Sequence, residues 1–399
     1  MKLFIENSRK LELVAEDIII VKDTDALLSI KLIGADSSSI KSETQMEGTV
    51  LTIPSMHKSW NGTSVSIFSS DDEVIVELSK ASMNRRKVII DTDGGIDDAV
   101  AILEALREPA LDIIGITTLY SNTTLEHATD NALRLLKLAG RDHDIPVAAG
   151  ESMPLSGIPK APSSLVHGEN GLGDVEIPES DVSPLDMHAT DFIISKAREF
   201  PEEITVVTLG PLTNMARAIE RCPELPGLID RLIVMGGAVG SPGNVSACSE
   251  ANIHADSLSA RIVFNAGFNL YMVGLNVTTK VHITGAMLDY IGRHQSDETL
   301  PYYNLISRML PFYFDFYRRM EDLMDMCPVH DPLAMMVAID PSVCSFRELP
   351  VSVIVSDDIT NGMTLADLRH HPSETHRVNV AVDVDSEKAI GKLLKYFCV

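Results

Sequence analysis

Four carboxylates fall within eight residues, Asp91-Thr92-Asp93-Gly94-Gly95-Ile96-Asp97-Asp98, directly after the apolar run Val88-Ile89-Ile90. Like charges packed that closely at one strand end repel one another unless something positive sits among them. No Cys or His stands nearby, so the donors are oxygens alone, and oxygen-only donors suit a hard divalent ion, Ca²⁺ or Mg²⁺. The glycines permit a tight turn, after which Asp97 and Asp98 open a helix, where carboxylates also suit the helix dipole. The plainer reading makes Asp97 and Asp98 ordinary first-turn residues and Asp91 a strand-end cap.

Other chemistries share parts of the pattern. An Asp-x-Asp after an apolar strand also opens haloacid-dehalogenase-type phosphatases, which would make Asp91 the nucleophile. Gly95 stands where those enzymes carry Thr, and Asp97-Asp98 are then unexplained. An EF-hand loop fails because Ile96 occupies the position that needs Gly. Far downstream, His330-Asp331 precedes the apolar run Leu333-Ala334-Met335-Met336 and offers one more carboxylate to a cation and one imidazole to a substrate. By itself that pair reads equally as a helix N-cap with a surface His. Between the two clusters, Asn244, Glu250 and Asn252 follow an apolar strand, and amides with a carboxylate are the groups that hydrogen-bond sugar hydroxyls.

The elements that must position these residues change character along the chain. Residues 1–84 hold short β-prone runs separated by polar turns such as Asn61-Gly62 and Asp71-Asp72, a pattern that predicts a small all-β N-terminal domain, sandwich or barrel, of unknown role. Nothing catalytic stands out in it, His57 included. Residues 87–399 alternate strands with helices. Apolar residues recur at helical spacing in Ile96–Leu106, buried-strand runs occupy Leu111–Leu119 and Ile204–Gly210, and helices are expected to close at Gly140 and Gly267. This is an α/β class, a mainly parallel sheet flanked by helices, in which ligands gather at the carboxyl ends of the strands.

Composition narrows the function. With 399 residues and 45% hydrophobic content the chain can bury a sizeable core. A formal net charge of −24 removes the electrostatic attraction that dominates nucleic-acid binding, so no nucleic-acid partner is expected. Five scattered cysteines without a CxxC pair suggest neither a disulfide framework nor a zinc site, and point to a reducing cytoplasm. No long apolar run predicts a membrane span.

Taken together, the motifs resemble the inosine-uridine type nucleoside hydrolases. Asp91-Thr92-Asp93-Gly94-Gly95-Ile96-Asp97-Asp98 matches their DxDxxxDD fingerprint, and VHGENGLGD, TLGPLTN, VMGGAVGSPGN, SEANIHAD and VHDPLAM follow in the family's order. The resemblance covers about residues 87–399. It implies hydrolysis of the N-glycosidic bond of ribonucleosides to ribose and free base, in purine and pyrimidine salvage, by a homo-oligomer. It implies Ca²⁺ held by Asp93, Asp98, Asp331 and the backbone carbonyl of Leu209, with Asp93 as general base. Ribose is expected to be gripped by Asp97 and Asn252 at the 2′ and 3′ hydroxyls and by Asn244 and Glu250 near the 5′ hydroxyl, with Asn122, His167 and Met235 lining the pocket. His330 is expected to activate the leaving base. Purine-specific relatives carry Trp at that position, whereas the only tryptophan here is Trp60, which favours the broad or pyrimidine-tolerant branch. Tyr313 and Tyr317 either close over the base or pack in the core. A non-catalytic sugar-binding scaffold is the reading outside enzymes.

Overall fold

The computed structural model describes residues 85–372 and 376–398 in full and, within residues 1–84, the backbone of eight strands. The chain divides into two compact units, Met1–Arg85 and Arg86–Val399. In the first, Asp17–Thr24, Leu27–Ile33, Glu73–Lys80 and Thr63–Ser70 pair in that order as a four-stranded antiparallel sheet. The expected sandwich or barrel core depends on side chains outside the described residues, as do His57 and Trp60.

The second unit is built on a nine-stranded sheet. Its strands are β1 (Arg86–Thr92), β2 (Leu111–Thr118), β3 (Val147–Ala149), β4 (Ile204–Thr208), β5 (Arg231–Met235) and β6 (Leu270–Val273), joined later by β9 (Cys344–Val353), β10 (Thr364–Ala366) and β11 (Arg377–Val384). A separate antiparallel pair, β7 (His282–Thr284) and β8 (Met326–Pro328), lies between them in sequence. The sheet order is β3-β2-β1-β4-β5-β6-β11-β9-β10, parallel as far as β11 and antiparallel from there. Val88 and Ile90 of β1 join one apolar layer and Ile89 the other, the two-residue alternation of a strand covered on both faces.

Helices cover both faces. Among them are α1 (Ile96–Arg107), α2 (Leu125–Leu138), α3 (Ala189–Glu199), α4 (Thr213–Arg221), α5 (Ala251–Ala255), α6 (Ser257–Phe264), α7 (Leu300–Glu321), α8 (His330–Ile339) and α9 (Ser386–Phe397), of which α1, α5, α7 and α8 carry side chains of the site. The chain leaves β1 for β2 on one side and returns to β4 on the other, so the order reverses between β1 and β4, and a crevice opens at their carboxyl ends. Gly94 makes the exit from β1 possible. Its φ is +73°, and a Cβ there would lie 2.6 Å from Ala128 Cα.

Two helix limits differ from the sequence expectation. α2 stops at Leu138, two residues before Gly140, which takes φ +65° beyond the end. The helix expected to close at Gly267 is α6, which stops at Phe264 and starts afresh after α5 because the Asp256 carboxylate accepts from Ser259 N at 3.0 Å and caps it. Among the described residues the cysteines are free and no helix is long and apolar enough to cross a membrane.

Candidate active site

Asp91 ends β1 by tying it to its neighbours. Its Oδ1 accepts from Thr117 Oγ1 at 2.6 Å and Asn214 Nδ2 at 2.8 Å, and its carbonyl accepts from Leu209 N at 2.8 Å. Burial raises its pKa to about 6, against the two side-chain hydrogen bonds that favour the charged form. A phosphatase nucleophile needs an open carboxylate, whereas Asp91 is fully buried and does not line the cavity over the site.

Three other carboxylates converge. Asp97 and Asp98 from the first turn of α1 and Asp331 from the first turn of α8 bring one oxygen each within 4.8 Å of one another. The packing of α1 against α8 sets these two helix starts side by side. Asp98 is fixed by Thr92 Oγ1 at 2.5 Å, Gly95 N at 2.9 Å and Asn122 Nδ2 at 3.1 Å.

Asp93 stands beside this trio. Its oxygens accept from Asn122 Nδ2 at 3.0 Å and Asn122 N at 3.1 Å, and its own amide donates to Asp98 Oδ1 at 3.2 Å. Gly210 leaves it room, since a Cβ there would lie 2.8 Å from Asp93 Cγ. Burial, and then the charge of the neighbouring carboxylates, raises the pKa of Asp93 and Asp331 and brings Asp97 to about 7. Acids so placed stay ionised together only when a cation offsets their repulsion. Among the described residues Asp97 Oδ1 is buried without a hydrogen-bond partner, and the clustered carboxylates offer oxygens alone, so the residues present fit a hard divalent cation.

A cavity of about 330 Å³ opens over the cluster. Asp97, Asn122, His167, Met235, Asn244, Glu250 and Asn252 all line it, with Leu209, His330 and Asp331; Asp93 and Asp98 lie beneath, buried. Asn252 Nδ2 donates to the Leu209 carbonyl at 2.7 Å and to the Met235 carbonyl at 3.2 Å, tying the ends of β4 and β5 together. Glu250 caps α5, accepting from Asn252 N at 2.9 Å and from Ile253 N and Gly237 N at 3.1 Å. Asn244 Oδ1 accepts from Ala251 N at 3.0 Å. His167 accepts from Ile96 N through Nδ1 at 3.1 Å, and burial lowers its pKa to about 3, so the ring is neutral.

An aromatic wall faces the carboxylates. Tyr313 donates to Asp97 Oδ2 at 3.2 Å and lies 3.4 Å, oxygen to oxygen, from Tyr317, which in turn lies 2.9 Å from His330 Nε2. His330 Nδ1 reaches Thr278 Oγ1 at 2.7 Å. Both tyrosines are buried and line the cavity. Sequence reasoning passed over Lys160, Thr278 and Phe316. Phe316 carried only a packing signal, Lys160 sits in an irregular segment, and Thr278 ends the one-turn helix Leu275–Thr278, too short for a periodicity to mark it.

The arrangement has relatives. The profile of the inosine-uridine preferring nucleoside hydrolases matches residues 88–391. The chain is 38% identical to uridine nucleosidase 1 of Arabidopsis thaliana over 282 residues, 70% of this chain and 82% of that protein. It is 37% identical to probable uridine nucleosidase 1 of Oryza sativa subsp. japonica over 289 residues, 72% of this chain and 87% of the relative. Among solved structures it resembles a plant nucleoside hydrolase, PpNRh1, with a TM-score of 0.75 at 40% identity, over 79% of this chain and 99% of that one. With the strand-end carboxylates, the cavity and these likenesses in agreement, the chain belongs to the inosine-uridine preferring nucleoside hydrolase family.

Proposed function

We propose that this enzyme, a hydrolase of the ribonucleoside N-glycosidic bond, takes uridine and inosine with a broad or pyrimidine-tolerant choice of base and uses Ca²⁺ held by Asp93, Asp98, Asp331 and the Leu209 carbonyl. The observation that carries it is the convergence of the buried Asp97, Asp98 and Asp331 carboxylates, from the first turns of α1 and α8, under one cavity, with Asp93 bonded to Asp98 beside them. When bound, the cation supplies Lewis acidity that eases deprotonation of water.

The chain's own residues do the rest. Asp93 accepts the proton of the attacking water, while Asn122 holds both its oxygens in place. Asp97 and Asn252 orient the 2′ and 3′ hydroxyls, and Asn244 and Glu250 the 5′ end. The same carboxylates stabilise the positive charge that grows on the ribose ring as the bond to the base stretches. His330, joined to Tyr317, delivers the proton that lets the base leave. Attack from the face opposite the base inverts C1′ without a covalent sugar-enzyme intermediate.

The names of the relatives, uridine nucleosidases, support uridine as a substrate. The aromatic side chains at the cavity are Tyr313, Phe316 and Tyr317, with no indole pair to stack a purine. The proposal extends to a cytoplasmic homo-oligomer and to a β-rich domain over residues 1–84, tested by native mass, fractionation and deletion. Release of uracil from uridine and hypoxanthine from inosine, abolished by a chelator and restored by Ca²⁺, is the expected result; no release from either nucleoside overturns the reading.

A further inference from the structure

Among the described residues, Lys160 is the one Lys or Arg side chain at the cavity, where Asp97, Glu250, Glu321 and Asp331 place carboxyls. Lys160 is half-buried, and an ammonium drawn partly out of water needs hydrogen bonds to replace the hydration it gives up. Here Nζ donates to Ser121 Oγ at 2.8 Å, and among the described residues no carboxylate lies within ion-pair distance of it. An ammonium has three protons to donate, so most of its capacity is left facing the cavity.

The loop that carries Lys160 is held in place. Leu155 N donates to Asp256 Oδ2 at 2.9 Å, and Ser163 N donates to the Asn122 carbonyl at 3.0 Å. The carboxylates whose charge acts on Lys160 are Asp93, at the floor, and Glu250, on the wall. Glu250 is itself fixed by three backbone amides. A donor-only group and an acceptor-only group thus face one space. A hydroxyl satisfies both, donating its proton to one and offering a lone pair to the other, whereas a methyl group satisfies neither.

We propose that Lys160 is a specificity-determining residue that donates to the 5′ oxygen of the ribose while Glu250 accepts that hydroxyl's proton, so that the two charges together read a free 5′ hydroxyl. The inference rests on the nucleoside hydrolase reading above, with Glu250 at the 5′ end of the sugar. The alternative use of Lys160 is a pin between its loop and Ser121, with no role toward the sugar.

Single-turnover rates on uridine and 5′-deoxyuridine, at enzyme concentrations high enough to follow the slower substrate, separate the two. Lys160→Met is expected to lower kcat/KM for uridine about tenfold or more, the loss of a charged hydrogen bond, and to leave 5′-deoxyuridine within about twofold of the parent. Lys160→Arg is expected to recover part of the discrimination, and Ser121→Ala, which removes the pin alone, to keep it. Equal losses on both substrates, or none on either, overturn the inference. A parent enzyme that releases no base from uridine instead overturns the reading beneath it.

Discussion

Tyr317 and His330 share a hydrogen bond of 2.9 Å across the cavity wall, one residue from the long helix α7 and the other from the first turn of α8. Burial, reinforced by the charge of His282, lowers the pKa of His330 to about 4, so at neutral pH the ring donates from one nitrogen and accepts at the other. The pair is suited to pass a proton, with Thr278 at the far nitrogen, rather than to store one.

Removing either member should therefore cost most where the leaving group most needs a proton. Tyr317→Phe and His330→Ala are each expected to lower kcat for uridine by about 10²-fold, the scale of general acid catalysis. Hydrolysis of p-nitrophenyl riboside, whose leaving group departs unaided, should stay within about threefold of the parent. Comparable losses on both substrates would place the two residues in packing alone.

The carboxylates of Asp97, Asp98 and Asp331 repel one another in a buried space, so a cation that relieves the repulsion must also stabilise the fold. Adding Ca²⁺ to chelator-treated protein at about 100 times its Kd should add roughly 2.7 kcal/mol and raise the thermal midpoint. Asp331→Asn should shrink that rise and the metal content measured by mass spectrometry. An unchanged midpoint with and without Ca²⁺ excludes the site.

Two aspartates two residues apart, Asp91 and Asp93, should behave differently. Asp91 accepts from Thr117 and Asn214 through one oxygen, a role that an amide oxygen also fills. Asp91→Asn is expected to keep activity within about tenfold, whereas Asp93→Ala, which removes the proposed proton acceptor, should lose about 10³-fold or more with an unchanged circular dichroism spectrum. A dead Asp91→Asn beside an active Asp93→Ala would reverse the assignment.

Much of this site was legible because its parts sit where the apolar pattern changes. Asp91 to Asp98 follow a run that is apolar at every position, and such a run marks a strand buried on both faces, so the residues after it had to be at a strand end. The pairing of Asp331 with Asp97 and Asp98 is a different matter. It depends on α1 packing beside α8 across more than two hundred residues of chain, which no local spacing encodes; the resemblance joined Asp331 to Asp93 and Asp98 and set Asp97 on the ribose, whereas the oxygens that converge are those of Asp97, Asp98 and Asp331. Asn244 and Glu250 were marked by polarity on a loop, while Lys160 was not, because a lysine in an irregular loop reads as solvated surface until its place at the cavity is seen. The break at Asp256 was hidden for another reason. The helical periodicity runs through it, and the capping bond to Ser259 is what divides α5 from α6.

A last prediction concerns a carboxyl that the reaction does not use. Glu104 lies on the face of α1 turned into the core, fully buried, and among the described residues neither of its oxygens has a hydrogen-bond partner. Burial, and then the charge of Glu108, raises its pKa well above the usual 4.5, against the opposing charge of Lys392. The folded chain therefore keeps this proton to higher pH than the unfolded chain does, and between the two pKa values it binds more protons. Stability from this group is fully present below about pH 4.5 and is lost as pH rises through the folded value. Glu104→Gln removes the titration, so it should gain on the parent as pH rises, by on the order of 1–3 kcal/mol at pH 8, with the advantage gone at pH 4. Thermal midpoints of both proteins across that range give the answer, and a difference that does not change with pH means that Glu104 finds a partner when charged.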